Sequence, residues 1–212
     1  MPHPKLSTAL APDLEKAQGW PARLVAGVDE VGRGPWAGPV VAACIILPPD
    51  YAETDLATLN DSKKLTEKKR AALFDILAEL PHGIGQANVE EIDRLNILQA
   101  SLLAMHRAVA AMPTPPEHIL VDGHKLPDWP YAASAIVKGD SLSPSIAAAS
   151  VLAKVTRDRY MAALDREFPG YGWAQNMGYG TKAHQIGLAE WGVTPHHRKS
   201  FAPIRKILSP DG

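Results

Sequence analysis

Four acids are the residues of this chain best equipped for chemistry: Asp29, Glu30, Asp122 and Asp140 stand in three separate places, each just after a short apolar run. Asp29 and Glu30 are adjacent within LVAGVDEVGRGPWAGPV, over 24–40, and a glycine-rich turn follows at once. A folding rule alone does not place two anions there, because an unpaired buried charge costs roughly several kcal/mol even after relaxation. Strand ends are where open α/β sheets build their sites. If the four acids converge, carboxylates about 4 Å apart repel by about 4 kcal/mol at an effective dielectric of about 20, so the cluster needs divalent cations or bound protons. Hard oxygen ligands select Mg²⁺ or Mn²⁺.

Neighbouring strand residues face opposite ways, so Asp29 and Glu30 share one site only if the strand bends or ends between them, which Gly32 and Gly34 allow. Taken singly, Asp122 in VDG and Asp140 in KGD read equally well as turn residues. Beside Asp29 and Glu30 they read as ligands. The glycines at 32, 34 and 38 do not make a dinucleotide-binding turn: their spacing is G-x-G-x-x-x-G, Pro35 and Pro39 oppose a helix start, and two acids occupy the place of a pyrophosphate. No Walker-type lysine motif, paired-histidine zinc helix or serine elbow is present, so covalent nucleophilic hydrolysis has no support.

The elements that must position these acids follow from periodicity and punctuation. Strands are predicted over 24–29 and 40–47, joined as an antiparallel hairpin, then over 83–89, 118–121 and 133–137. Thr66 caps a helix reaching about residue 80, with Leu73, Ile76, Leu77 and Leu80 as its apolar stripe and Pro81 as its stop. One helix is predicted over 90–112 from apolar positions at 92, 95, 98, 102, 105 and 109. Ser143 followed by Pro144 starts a helix running to about 168, whose alanines at 147, 148, 149 and 153 permit close backbone approach. After a glycine-rich stretch over 170–180, Thr181 caps a last helix over 182–191, ended by Gly192.

Composition narrows the class. A chain of 212 residues, 46% apolar, supports one good-sized core, and no long linker divides it. With 22 basic residues against 23 acidic ones, binding to a polyanion must come from a local patch. Cys44, the sole cysteine, lies in an apolar run and reads as core packing; it excludes an internal disulfide and a cysteine-bound cluster. Neither a signal-like N-terminus nor a bilayer-length apolar stretch is present, so the expectation is a cytoplasmic protein without membrane contact.

Beyond these readings, DEVGRGPWAGPVV from Asp29, LNDSKKLT from Leu59, VDG from Val121, KGDSLSPSIAAASVLAKVTRD from Lys138 and GYGTKAH from Gly178 resemble the ribonuclease HII family, the type 2 ribonucleases H, in order and over nearly the whole chain. The resemblance implies an α/β ribonuclease H-like fold, a mixed five-stranded sheet flanked by helices with a C-terminal helical extension. The implied layout is an N-terminal tail or short helix over 1–23, a catalytic domain over 24–169 and a substrate-binding extension over 170–212 packed on the same domain. It places the family's catalytic, metal-binding acids on Asp29, Glu30, Asp122 and Asp140, with Asp29 expected to bridge the ions. Type 3 relatives carry glutamate at the fourth acidic position and an extra N-terminal domain; Asp140 and the short N-terminus favour type 2.

The implied activity is endonucleolytic: hydrolysis of the RNA strand of RNA–DNA hybrids and incision at single ribonucleotides in duplex DNA, serving ribonucleotide excision repair and replication. The implied chemistry uses two metals about 4 Å apart and leaves 3′-hydroxyl and 5′-phosphate ends. The backbone of Gly32, Arg33 and Gly34 would touch the 2′-hydroxyl, the group that separates RNA from DNA, and Tyr179 would lie against the sugar, although an ordinary half-buried aromatic is the plain alternative there.

Lys63, Lys64 and Lys182 are candidate backbone contacts, joined by Lys154, Arg198 and Lys199 in a chain whose last 43 residues, from Gly170, hold five Lys or Arg against two acids. His184 either contacts substrate or faces solvent, the latter preferred, and His196 and His197 read as surface or phosphate-facing groups. A monomer is expected. The competing class is a noncatalytic nucleic-acid-binding module that uses metal only to complete its fold.

Overall fold

The computed structural model describes residues 9–209; the first eight positions of the expected 1–23 tail and the last three of the 170–212 extension lie outside the described residues. A short helix α1 (Asp13–Ala17) precedes the hairpin of β1 (Val25–Val31) and β2 (Val40–Ile46). Then come α2 (Glu67–Leu77), β3 (His82–Ala87), α3 (Val89–Leu95), α4 (Ile97–Ala110), β4 (His118–Asp122) and β5 (Ala133–Ile136). The chain continues through α5 (Pro144–Glu167), α6 (Trp173–Asn176), α7 (Lys182–Trp191) and α8 (Ala202–Leu208).

The five strands form one mixed sheet in the order β3-β2-β1-β4-β5. β1 pairs antiparallel with β2 and β2 with β3, whereas β4 runs parallel to both β1 and β5. Each face is covered by helices, as expected for strands this apolar. On one face Ala43 and Ile45 of β2 pack with Leu73 and Leu77 of α2 and with the alanines of α5; on the other Ala26, Val28, Ala42 and Cys44 pack with Ala100, Ala104, Met105 and Ala108 of α4. Fully buried Leu77 and Leu152 each contribute about 1.5–3 kcal/mol by leaving water.

Helix α5 lies so close to the sheet centre that a side chain at Gly27 would strike the Ser145 backbone. Its N-terminus follows the serine–proline signal: the Ser143 hydroxyl accepts from the Ile146 N–H, with Pro144 in the first turn. Glu15 of α1 is buried against this end and accepts from the Ser145 hydroxyl and N–H, fixing α1 to the start of α5.

Two expectations are corrected. The single helix over 90–112 is two, broken at Asn96, whose backbone sits at φ 72° while its side chain caps α4 by accepting from Leu98 and Gln99. Asparagine tolerates the left-handed region and serves as an N-cap, so an apolar period that runs through it does not secure a continuous helix. Nor does β1 bend or end between Asp29 and Glu30: the ladder continues as Asp29–Ala43, Glu30–Ala42 and Val31–Val41, and the chain turns at Gly32, φ 93°. The glycine-rich C-terminal stretch also contains α6, and α8 lies beyond it; neither helix was expected. With Met161 and Leu164 of α5 they enclose a separate cluster of Tyr171, Trp173, Leu188 and Ile204.

Candidate active site

The C-terminal ends of β1 and β4 open into a cavity of about 340 Å³ lined by Asp29, Glu30, Asp122 and Asp140. Parallel pairing of Val28 with Val121 sets Asp29 beside Asp122 on adjacent strands. Asp140 arrives from the short 3-10 turn Gly139–Ser141 after β5, and the Asp122 Oδ1 accepts from the Gly139 N–H at 2.7 Å, tying that turn to β4. Glu30, on the opposite pleat from Asp29, also lines the cavity.

The electrostatics are those of crowded anions. Burial, then the Glu30 and Asp122 charges, hold the Asp29 carboxyl well above the usual carboxylate range. Glu30 is raised by burial, opposed by Arg33, whose guanidinium stands 3.2 Å from Oε1. Asp140 is raised by burial and by the Asp61 and Asp122 charges, with Lys63 opposing. The Asp29 Oδ1 accepts from the Glu30 N–H at 2.7 Å, while Glu30 Oε2 is buried without a hydrogen-bond partner. Among the described residues no three such side chains close into a ligand shell. They line the wall as mutually repelling anions do, and the orphaned Glu30 oxygen with an all-carboxylate donor set fits a hard divalent cation.

Gly32, Arg33, Gly34, Lys63 and Tyr179 share the cavity lining. A side chain at Gly32, where φ is 93°, would meet the Arg157 guanidinium at 2.2 Å, so glycine is required there, while one at Gly34 would press on the Tyr179 ring at 3.2 Å and shift it. Tyr179 is 50% exposed and presents its ring at the mouth instead of packing in the core. Lys64 and Lys182 are exposed and do not line the cavity; Lys64 reaches the Ser141 hydroxyl at 3.4 Å, and Lys182 begins α7.

Ser62, Ser150 and Arg157 line the cavity without having been singled out by sequence, next to the expected Lys154. On α5, positions 150, 154 and 157 fall at i, i+4 and i+7, one helix face, a spacing that marks a polar stripe in an otherwise buried helix. The Ser150 hydroxyl hydrogen-bonds Ser62 at 2.8 Å, and its bond to Asp29 favours the ionised carboxylate.

Three C-terminal expectations are overturned. His184 and His197 are fully buried, not solvent- or phosphate-facing. His184 Nδ1 lies 3.0 Å from the Tyr179 carbonyl, which can only accept, so Nδ1 carries the proton; Nε2 then accepts from Trp173 Nε1 at 3.1 Å and from His197 Nε2 at 2.9 Å. His197 Nδ1 completes the chain by accepting from the Thr194 N–H. A neutral histidine donates through one ring nitrogen and accepts through the other, so each ring links partners on its two sides.

Arg198 is likewise fully buried and donates to the carbonyls of Gly32, Arg33 and Gly38. Arg157 donates to those of Ala37, Pro39 and Met177. Burial, then the Arg157 charge, pulls Arg198 down to about 9, still charged at neutral pH.

The family model described as ribonuclease HII matches residues 26–204. Ribonuclease HII of Sphingopyxis alaskensis is 54% identical over 187 residues, covering 88% of this chain and 92% of that protein. Among solved structures, the ribonuclease H2 from Pyrococcus horikoshii OT3 superposes with a TM-score of 0.71 at 28% identity, covering 86% of this chain and 96% of that one. Bst-RNase HIII in complex with Mn²⁺ shares the fold, with a TM-score of 0.64 at 21% identity over 94% of this chain and 74% of its own. With the mixed five-stranded sheet and the acid-lined cavity at its centre, these matches establish that the chain belongs to the ribonuclease HII family.

Proposed function

We propose that this ribonuclease H, an endonuclease for the RNA strand of RNA–DNA hybrids, hydrolyses phosphodiesters through Asp29, Glu30, Asp122 and Asp140 and also incises duplex DNA beside single ribonucleotides. The reading is carried by one observation: acids from three parts of the chain line a single cavity that also holds the glycine–arginine–glycine turn and Tyr179. These four carboxylates would hold Mg²⁺ or Mn²⁺, and the unpartnered Glu30 oxygen supports that fit. When bound, two such ions would supply an activated water and stabilise the leaving 3′-oxygen, leaving 3′-hydroxyl and 5′-phosphate ends.

The chain's own groups supply position. Asp29, on β1, is the proposed bridging carboxylate, and the Ser150 hydrogen bond favours its ionised form against burial and the neighbouring charges. The Gly32–Gly34 backbone and the Tyr179 ring flank the place where the reacting ribose would lie, within reach of a 2′-hydroxyl. Lys63 stands beside Asp140 at the cavity and offers a phosphate contact, with Lys64 and Lys182 further along the surface. Residues 24–169 would carry the chemistry, and residues 170–212 the surface that presents Tyr179. All four acids come from one chain, so the proposed site is complete in a monomer. Among the described residues no helix is long and apolar enough to cross a membrane. The proposed substrate fits a role in ribonucleotide excision repair and replication, with action in the cytoplasm as part of the same proposal.

A gel comparing an all-DNA duplex, a duplex with one ribonucleotide and a long hybrid, each with Mg²⁺ or Mn²⁺, tests the proposal. Cutting of the two ribose-containing substrates alone is the expected result. Equal cutting of all-DNA duplex, or binding without cutting, rejects it.

A further inference from the structure

Arg198 belongs to a basic run, HHRKS, yet no part of it reaches solvent. Its guanidinium is spent on one loop: Nη2 donates to the Gly32 carbonyl, Nη1 to the Arg33 carbonyl at 2.9 Å, and Nε to the Gly38 carbonyl at 2.9 Å. A guanidinium is planar with its donors in a fixed fork, so the two successive carbonyls it receives are held in one orientation. In a trans peptide the N–H points opposite to the C=O. Pinning the Gly32 and Arg33 carbonyls toward Arg198 therefore turns the Arg33 and Gly34 N–H groups the other way, side by side.

Among the described residues neither N–H has an acceptor within the protein, and residues 32–34 line the acid cavity. Two adjacent backbone N–H groups facing one concavity form a nest, which binds an anion or an oxygen lone pair. Backbone bonds from Trp36 to Gly178, from Gly38 to His196 and from Arg198 to Trp36 hold the rest of the loop to the C-terminal segment.

We propose that Arg198 is a positioning residue for ribose recognition: from beneath the loop it fixes the Gly32–Arg33–Gly34 peptide planes so that the Arg33 and Gly34 N–H groups meet the 2′-hydroxyl and its flanking phosphate. This rests on the reading of that turn as the ribonucleotide contact. Arg198 itself touches no substrate. Arginine is required because a lysine ammonium, a point charge on a flexible stem, does not impose a plane on two carbonyls.

The test is competition binding, in Ca²⁺, between a duplex carrying one ribonucleotide and the same duplex in all-DNA form, for the wild type, Arg198→Lys and Arg198→Met. Arg198→Met is expected to lower the preference for the ribonucleotide by about tenfold, the scale of a lost hydrogen bond to an ordered donor, with a smaller loss of all-DNA affinity through the shared phosphate; Arg198→Lys restores it only in part. A folded Arg198→Met with full preference overturns the inference, as does an equal loss on both duplexes, the mark of a plain phosphate charge. If Arg198→Met does not fold, Arg198→Lys alone decides, and full preference there is likewise contrary. A second readout needs no variant: in the wild type, the Arg33 and Gly34 amide resonances should shift more with the ribonucleotide duplex than with all-DNA, and equal shifts contradict the proposal. A wild type lacking any preference removes the reading of the turn itself, an outcome distinct from a preference that survives loss of Arg198.

Discussion

Asp29 and Asp122 each stand one residue beyond Val28–Val121, the last pair of the parallel β1–β4 ladder, which delivers two carboxylates from neighbouring strands to one cavity. The Asp122 charge is one reason the Asp29 carboxyl sits well above its ordinary range, after burial and Glu30. An acid raised on folding contributes its full stability below its unfolded value and loses it as pH rises through the folded one, so ionising Asp29 beside the other carboxylates opposes the fold. Asp122→Asn keeps an oxygen for the Gly139 N–H and removes a charge. In chelator its melting midpoint is expected to rise, by about 1 kcal/mol or about 2–4 °C. A lower midpoint would make Asp122 chiefly a structural acceptor.

Cations held by the proposed cluster would bind the folded chain and not the unfolded one. At about 100 times its dissociation constant, Mg²⁺ or Mn²⁺ should stabilise the wild type by about 2.7 kcal/mol. The melting midpoint should climb with metal concentration, and the climb should shrink in Glu30→Gln and Asp140→Asn. Differential scanning fluorimetry across a metal series reads this directly, and a flat response would contradict the proposed ligand set.

His197 is pulled down to about 4, by burial first and then by the neighbouring His184. A histidine lowered on folding lends its full stability above the unfolded value near 6.5 and loses it as pH falls toward the folded value, a window of about 6.5 to 4. The loss across that window approaches about 3 kcal/mol. Urea melts from pH 7 to pH 4 should show it, and His197→Gln should flatten the slope. An unchanged slope would mean that the buried pair tolerates charge.

Tyr179 stands at the cavity mouth, half exposed, with little of the core resting on it. Tyr179→Ala should leave the melting midpoint near that of the wild type and lower kcat/KM on a hybrid by about tenfold or more, the scale of one lost ring contact. Gly34→Ala should act in the same direction by pushing the ring aside. Steady-state kinetics decide, and normal kcat/KM in Tyr179→Ala would assign the ring to the surface.

What could be read in advance was whatever local chemistry dictates. Thr66, Ser143 and Thr181 cap their helices as their types require, and Gly192 ends α7. Asp29, Glu30, Asp122 and Asp140 were recognisable because acids after apolar runs break the rule of burial. Arg198, His184 and His197 were misread because a basic or titratable side chain reads as exposed unless its partners are known, and theirs are backbone carbonyls and rings from other parts of the chain. Asn96 split a helix that apolar periodicity ran straight through. Ser150 and Arg157 were hidden in a helix whose alanines dominated the reading, although their spacing with Lys154 carried the signal.

The most direct test of the proposed catalytic acids is single-turnover cleavage of an RNA–DNA hybrid in Mg²⁺ by Asp29→Asn beside the wild type. Asparagine preserves the acceptor for the Glu30 N–H, so the fold should persist, with a midpoint in chelator equal to or above that of the wild type. Cleavage should fall by about a thousandfold or more, the scale of losing a group that organises transition-state charge. Near-normal cleavage by a folded Asp29→Asn would contradict the assignment.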